Sequence, residues 1–422
     1  MIDGGGGYLM PGFINAHAHI PEADPDYAFR LWLAHGITSI REVGSPSLKW
    51  LLALKAQSEA NTIAAPRIEA YPMFPYSNMV RTPEQAREWA RAVADKGADG
   101  IKLRSVRPVV LESIMEEVYR VGLWAAFPHV RRFIGGINAL DSARLGVDSM
   151  EHQLALPETM FTERTVQDFP ARYTFGSELD RIRGTAQTWN QAAKPGSQRW
   201  NEVIEELVDL DFTIVPTLAV YEANRDAMRA RSTEYFNDYA LPMFLGFWEP
   251  NPRNHFSHFY DWTTADEVAW KDYFRQTYVF LNDFKNAGGR VVPGADEGFL
   301  YTLYGFGYIR ELELFQEAGF HPLEVIRSAT LDAAELLGQD DRLGTIELGK
   351  TADLVLTDEN PLQNFKVLYG HGHTRYDFKA QANVPVGRVV LTIKDGIVYD
   401  ARALLNEVRN QVLAAKTAEQ SE

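Results

Sequence analysis

"PGFINAHAHI", residues 11–20, places two histidines one residue apart at the end of a short apolar run. Side chains of an extended strand alternate between faces, so His17 and His19 point the same way. Two imidazoles side by side can grip one metal ion, or they can be two hydrogen-bonded histidines. The reading of this stretch as a strand that delivers chemistry at its end is tested by the runs that follow.

Seven more short apolar runs have the same character: "ITSIREVG" near 37–44, "RIEAYPMF" near 67–74, "GIKLRS" near 100–105, "WAAFPHV" near 124–130, "SMEHQL" near 149–154, "TIVPTLAV" near 213–220 and "RVVPGAD" near 290–296. Amphipathic stretches separate them. "TPEQAREWARAVADKG" (82–97) opens with a Thr cap and a proline at the first helical position. "VVLESIMEEVYRVG" (109–122) repeats apolar residues at three- and four-residue steps and ends in glycine. Eight strand–helix repeats predict a (β/α)8 TIM barrel over residues 11–340. An open doubly wound sheet would place a glycine-rich phosphate loop after its first strand. Here "GGGG" (4–7) precedes that strand and reads as a flexible lead-in.

Two stretches break the spacing, about 157–200 and 221–285. The second contains the aromatic "NDYALPMFLGFWEPNPRNHFSHFYDW" (237–262), read either as pocket wall and lid or as packing on the barrel rim. Residues 341–400 predict a small β-element, with "ADLVLTDEN" and "VVLTIKDGIVYD" as strands, and 401–422 a helical tail. Residues 1–10 read as the remnant of a β-sandwich.

The composition narrows the function. A 422-residue chain with a net charge of −15 is a poor match for nucleic acid or for anionic membrane, both of which need a basic surface. A small-molecule substrate is expected instead. No apolar run reaches transmembrane length, and the first residues lack the basic-then-apolar pattern of a signal peptide. If that start is authentic, a cytoplasmic location is favoured. The chain has no cysteine, so a metal would be held by His, Asp, Glu or an altered Lys.

Such residues gather where the runs end. His17 and His19 close the first, Lys102 lies in the fourth, His129 closes the fifth, His152 lies in the sixth and Asp296 ends the eighth. Barrel enzymes build their sites at these carboxyl ends. An ammonium beside a dication is repulsive, so Lys102 would have to be neutral or converted by carbon dioxide to a carbamate. Tyr221, just beyond the seventh run, could donate a hydrogen bond to a substrate. Other histidines have plainer readings. His371 and His373 sit among glycines as a loop, and His255 and His258 read as lid or pocket wall. His35 reads as a helix C-terminal cap, favourable beside the negative end of the dipole.

Taken in order, "PGFINAHAHI", "HGITSIREVG", "GADGIKLRS", "WAAFPHV", "GVDSMEHQ", "TIVPTLAV" and "VVPGADEG" resemble the strand motifs of the amidohydrolase superfamily. "SATLDAAELLGQDDRLGTIELGKTADLVLTDENPL" (328–362) resembles that superfamily's ending. Within it, the chain most resembles the branch related to imidazolonepropionase and the Xaa-Pro dipeptidases, which carries a lysine on the fourth strand. The resemblance implies two divalent metal ions, zinc by preference. His17, His19 and Asp296 would hold one, and His129 and His152 the other. Carboxylated Lys102 and a hydroxide would bridge them. The hydroxide would be the nucleophile, and Asp296 would carry its proton to the leaving group. The implied reaction is hydrolysis of an amide bond, of dipeptide or N-acyl amino acid type. Esters, lactones or cyclic amides are the alternative substrates for the same site, and a non-catalytic barrel scaffold is the alternative outside enzymes. Members of the superfamily usually carry more chain before the first barrel strand. The C-terminal strands are therefore expected to lack partners, leaving an edge for another element or a second copy of the chain.

Overall fold

The computed structural model describes residues 3–45, 47–76, 79–104, 106–129, 137–174, 176–254 and 261–420. Its strands are β1 (Tyr8–Pro11), β2 (Phe13–Ala18), β3 (Ile37–Val43), β4 (Arg67–Tyr71), β5 (Gly100–Lys102), β6 (Trp124–Phe127), β7 (Ser149–Glu151), β8 (Thr213–Val215) and β9 (Arg290–Val291). Beyond these lie β10 (Leu354–Thr357), β11 (His373–Asp377), β12 (Ala382–Val386), β13 (Val389–Lys394) and β14 (Ile397–Asp400).

Strands β2 to β9 are parallel and pair in chain order, as a sheet of β2–β3–β4 and a sheet of β5–β6–β7–β8–β9. Backbone hydrogen bonds join the sheets at both seams. At one, Lys102 N donates to Pro72 O (3.0 Å) and Phe74 N to Lys102 O (2.7 Å). At the other, Ala16 N donates to Pro293 O and Asp296 N to His17 O, each at 3.0 Å. The core is therefore barrel-like. Every residue of β2, β3 and β4 is buried, as expected where helices cover a parallel sheet.

The helices form where the sequence caps them. Thr82 accepts from Gln85 N and closes a capping box on the helix Pro83–Ala94, a device contributing about 1 kcal/mol. That helix buries Ala86, Ala90 and Val93 and packs on the helix Pro108–Arg120. Trp32, Trp200, Trp248 and Trp270 are among the largest fully buried side chains and anchor the helical layer.

Two predicted strands are shorter than their apolar runs. In "TIVPTLAV" the strand ends at Val215, and Leu218–Arg225 is a helix. Pro216 removes a ladder donor, and the buried carboxylate of Glu311 accepts from Leu218 N (2.9 Å) and Ala219 N (2.6 Å), capping the new helix. In "RVVPGAD" ladder pairing stops at Val291, before Pro293.

The segment before the barrel also differs from expectation. It contributes β1, which pairs antiparallel with β10, so the C-terminal strands do have an N-terminal partner. The resulting sheet runs β1–β10–β13–β14, with β11–β12 as a separate hairpin. The helix Ala401–Glu419 packs on the helix Pro25–Ala34 and on β13. Both 157–200 and 221–285 are rich in helix, including the 23-residue Thr264–Asn286. Aromatic residues of the second stretch are packed: Phe244 stacks on Tyr27 at 5.6 Å, and Trp248 Nε1 donates to Gly298 O at 2.9 Å. No helix among the described residues is long and apolar enough to cross a membrane.

Candidate metal centre

The carboxyl ends of the barrel-like core bring His17, His152 and Asp296 together, with one potential ligand atom from each within 4.8 Å of the others. All three are buried. His17 comes from β2, His152 follows β7 directly, and Asp296 follows β9 across the seam from His17. Gly294 permits this approach, since a Cβ there would lie 2.6 Å from His17 Cβ.

Asp296 is the focus of the site. His17 Nε2 lies 3.7 Å from its Oδ1, His19 Nε2 3.4 Å from the same oxygen, and His152 Nδ1 3.9 Å from Oδ2. Both carboxylate oxygens are buried, and neither accepts a hydrogen bond among the described residues. A carboxylate withdrawn from water without donors is costly, so the geometry calls for a cation between it and the imidazoles. Two nitrogens and an oxygen without thiolate form a donor set suited to zinc or a similar ion. The residues present fit such an ion.

A second set of carboxylates orients the histidines. Glu151 Oε2 lies 2.5 Å from His17 Nδ1, so that nitrogen carries the proton and Nε2 presents its lone pair towards Asp296. Arg41 holds Glu151 in turn: its Nη2 donates to Oε1 at 2.6 Å, and its Nε donates to Ala16 O at 2.6 Å. Glu42 stands to His19 as Glu151 does to His17, with Oε1 3.4 Å from Nδ1. His152 Nδ1 is paired with Thr217 Oγ1 at 2.8 Å.

Lys102 ends β5 with Nζ 3.1 Å from His17 Nε2. Burial is the main cause that lowers its pKa, partly opposed by Asp296 and Glu151. Burial likewise keeps His17 and His152 well below the ordinary imidazole value, with Lys102 adding to the effect at His17. Neutral imidazoles are the form that ligates metal.

His129 follows β6 but stands outside the cluster of three; its ring stacks on Phe127 and its Nε2 pairs with Ser142 Oγ at 2.7 Å. Tyr221 lies on the helix Leu218–Arg225, its ring in a T-shaped contact with His152 at 5.7 Å and stacked on Trp270. His371 packs against Phe306 and Tyr235, away from the cluster, and His373 begins β11. His255 and His258 lie outside the described residues. His35 does cap a helix, but as a neutral group: it is fully buried, donates through Nδ1 to Leu31 O, and has its pKa pushed down to about 3 by burial.

Sequence reading missed Arg41, Glu42, Glu151 and Thr217. Arg41 and Glu42 had a signal, because paired charges in a run as apolar as "ITSIREVG" need buried partners. The backbone strain had none. His129, His152, Thr217 and Asp296 all have positive φ, between 48° and 65°, in the segments that follow β6, β7, β8 and β9. Such conformations are rare outside glycine and are stored at functional sites.

Residues 302–398 match the model of the amidohydrolase family, a region that begins just after Asp296. Across nearly the whole chain the fold resembles solved structures of low identity. A Xaa-Pro dipeptidase with bound methionine in the active site is 18% identical, with 93% of this chain and 86% of that chain covered and a TM-score of 0.59. Bottromycin amidohydrolase is 19% identical, with 97% and 80% covered and a TM-score of 0.66. A prolidase complexed with N-methylphosphonate-L-proline is 18% identical, with 94% and 87% covered and a TM-score of 0.56. No curated protein sequence matches the chain. The family match thus covers residues 302–398, and over the rest of the chain the likeness is one of fold. What the fold itself provides is a buried His/His/Asp cluster at the carboxyl ends of its strands.

Proposed function

We propose that the protein hydrolyses an amide bond in a dipeptide or an N-acyl amino acid, using divalent metal held around Asp296. The observation that carries this reading is the buried Asp296 carboxylate, bare of donors among the described residues and faced by three imidazoles. The similarity to structures described as a dipeptidase, a prolidase and an amidohydrolase supports the amide as the bond cleaved.

His17, His19 and Asp296 would hold one zinc ion, and His152 a second, which His129 would join only by giving up its Nε2 contact with Ser142 Oγ. Lys102 would join the two as a carbamate: its neutral Nζ bonds to the carbon of carbon dioxide and releases one proton to solvent. When bound, the ions supply Lewis acidity towards water and towards the scissile carbonyl. The chain's own groups do the rest. Glu151 and Glu42 fix the two N-terminal histidines with Nε2 inward. Asp296 takes a proton from the attacking water and returns it to the departing amine nitrogen. Tyr221, steadied by Trp270, offers its phenol to the substrate beside His152.

A hydrolysis screen of the zinc-loaded protein across dipeptides, N-acyl amino acids, aryl esters and lactones tests the reading. Cleavage of the amides, abolished by a chelator and restored by zinc, is expected. Turnover of lactones or esters without any amide would give the site its other chemistry.

A further inference from the structure

The strand that carries Lys102 continues its course beyond it. Leu103 N donates to Ala126 O at 2.7 Å, extending the association with β6 by one residue. Ile101 and Leu103 are fully buried in the main hydrophobic core, while Lys102 between them turns inward to His17. The same alternation returns Arg104 to the inner side, one step nearer the mouth. There its guanidinium lies over the ring of Tyr76, 4.0 Å from the centroid. Tyr76 belongs to the segment after β4, which is tied to the end of β5 through Phe74 N and Lys102 O. Two adjoining strand ends therefore build the stack.

The charge of Arg104 is not spent within the described fold. It closes no ion pair and no hydrogen bond there, and its Nε is buried without a partner. The chain has 57 acidic residues against 42 Lys and Arg, and Arg41, Arg67, Arg225 and Arg310 are all matched by carboxylates. Leaving one guanidinium partly dehydrated and unmatched costs stability. Stacking on an aromatic ring fixes its plane, and a fixed planar fork suits two parallel hydrogen bonds to a carboxylate.

We propose that Arg104, held flat by Tyr76, binds the free carboxylate of the substrate. The preferred substrates are then amides whose amine side is an amino acid with an unblocked α-carboxylate, a feature that dipeptides and N-acyl amino acids share. The substrate class rests on the amide-hydrolase reading above; the anion site itself does not.

Calorimetric titration of the zinc-loaded protein with N-acetyl-L-leucine and with N-acetyl-L-leucinamide separates the two ideas. The free acid is expected to bind at least about 10-fold more tightly than the amide, in keeping with a charge-assisted bidentate contact. Arg104→Met should erase that preference by weakening the acid alone, Arg104→Lys should keep part of it, and Tyr76→Leu should reduce it. Unchanged zinc content and melting temperature would certify the variants as folded. Equal binding of acid and amide by the parent protein, a preference that survives Arg104→Met, or inorganic phosphate competing as well as the acid would each overturn the proposal. If the preference is found but no amide is cleaved in the substrate screen, the anion site stands and the amide reading fails.

Discussion

Glu151 meets His17 across the barrel-like core, its Oε2 2.5 Å from Nδ1, and this contact decides which imidazole nitrogen faces Asp296. Glu151→Gln keeps the size but can turn a donor towards Nδ1, which would favour the opposite tautomer. Loss of an outer carboxylate of this kind typically costs 10–100-fold in metal affinity. We expect a loss in that range, measured by competition with a colorimetric chelator. Affinity equal to the parent's would show that His17 is oriented without Glu151.

Asp296→Asn keeps one oxygen and removes the proposed base. General acid–base help is about 10²–10⁴-fold, so kcat on an amide should fall at least that far. An ester with a good leaving group needs less protonation and should suffer less. Without metal the substitution removes a buried, donorless charge, so the chelated variant should melt no lower than the chelated parent. A lower melting point would mean that the carboxylate has a structural role of its own.

Lys102→Ala should abolish most of the hydrolysis, and acetate or propionate should restore part of it by supplying the missing anion. Elemental analysis of the zinc-saturated parent is expected to give two ions per chain. One ion per chain would reduce the site to His17, His19 and Asp296 and leave His129, His152 and Lys102 without a metal to hold.

His35 makes a prediction about acid stability. Its folded pKa of about 3 lies below the ordinary 6.5 because it is buried. As pH falls below 6.5 the unfolded chain takes the proton first, so stability present above 6.5 is lost progressively down to about 3. The slope is about 1.4 kcal/mol per pH unit. His35→Asn, which can still donate to Leu31 O, should flatten the dependence of unfolding free energy on pH between 6 and 4 by that slope. Denaturant titrations at three pH values would read it. An identical slope would mean that His35 is accessible to protons in the folded state.

Much of the site is legible because it obeys the period of two. His17 and His19 share a face by spacing alone, and Lys102 projects inward between buried Ile101 and Leu103. What escaped the sequence depends on contacts between distant strands. Glu151 stands beside His152 in "SMEHQ", yet its partner is His17, and nothing local to either residue announces the pair. Thr217 looks like part of a strand until Glu311, on a later helix, accepts from the two amides that follow it. His129 has the right position in the chain, but the turn after β6 gives its Nε2 to Ser142. The strand Tyr8–Pro11 was hidden by the glycines before it, and becomes a strand because β10 is there to receive it.

The seam between β2 and the segment after β9 joins the two ends of the barrel sequence through Asp296 N and His17 O. The side chains of the same two residues point at each other across the centre. An ion held between them would therefore act as a latch on a ring that the chain must travel almost all the way round to close. Bringing such remote segments together is the slow, entropically costly part of building a parallel barrel. A partly folded chain cannot offer this pair of ligands, so metal capture should be among the last events of folding. Withdrawal of the ion should then quicken unfolding more than it slows folding. The candidate metal cluster and the fastening of the ring are one place in the molecule.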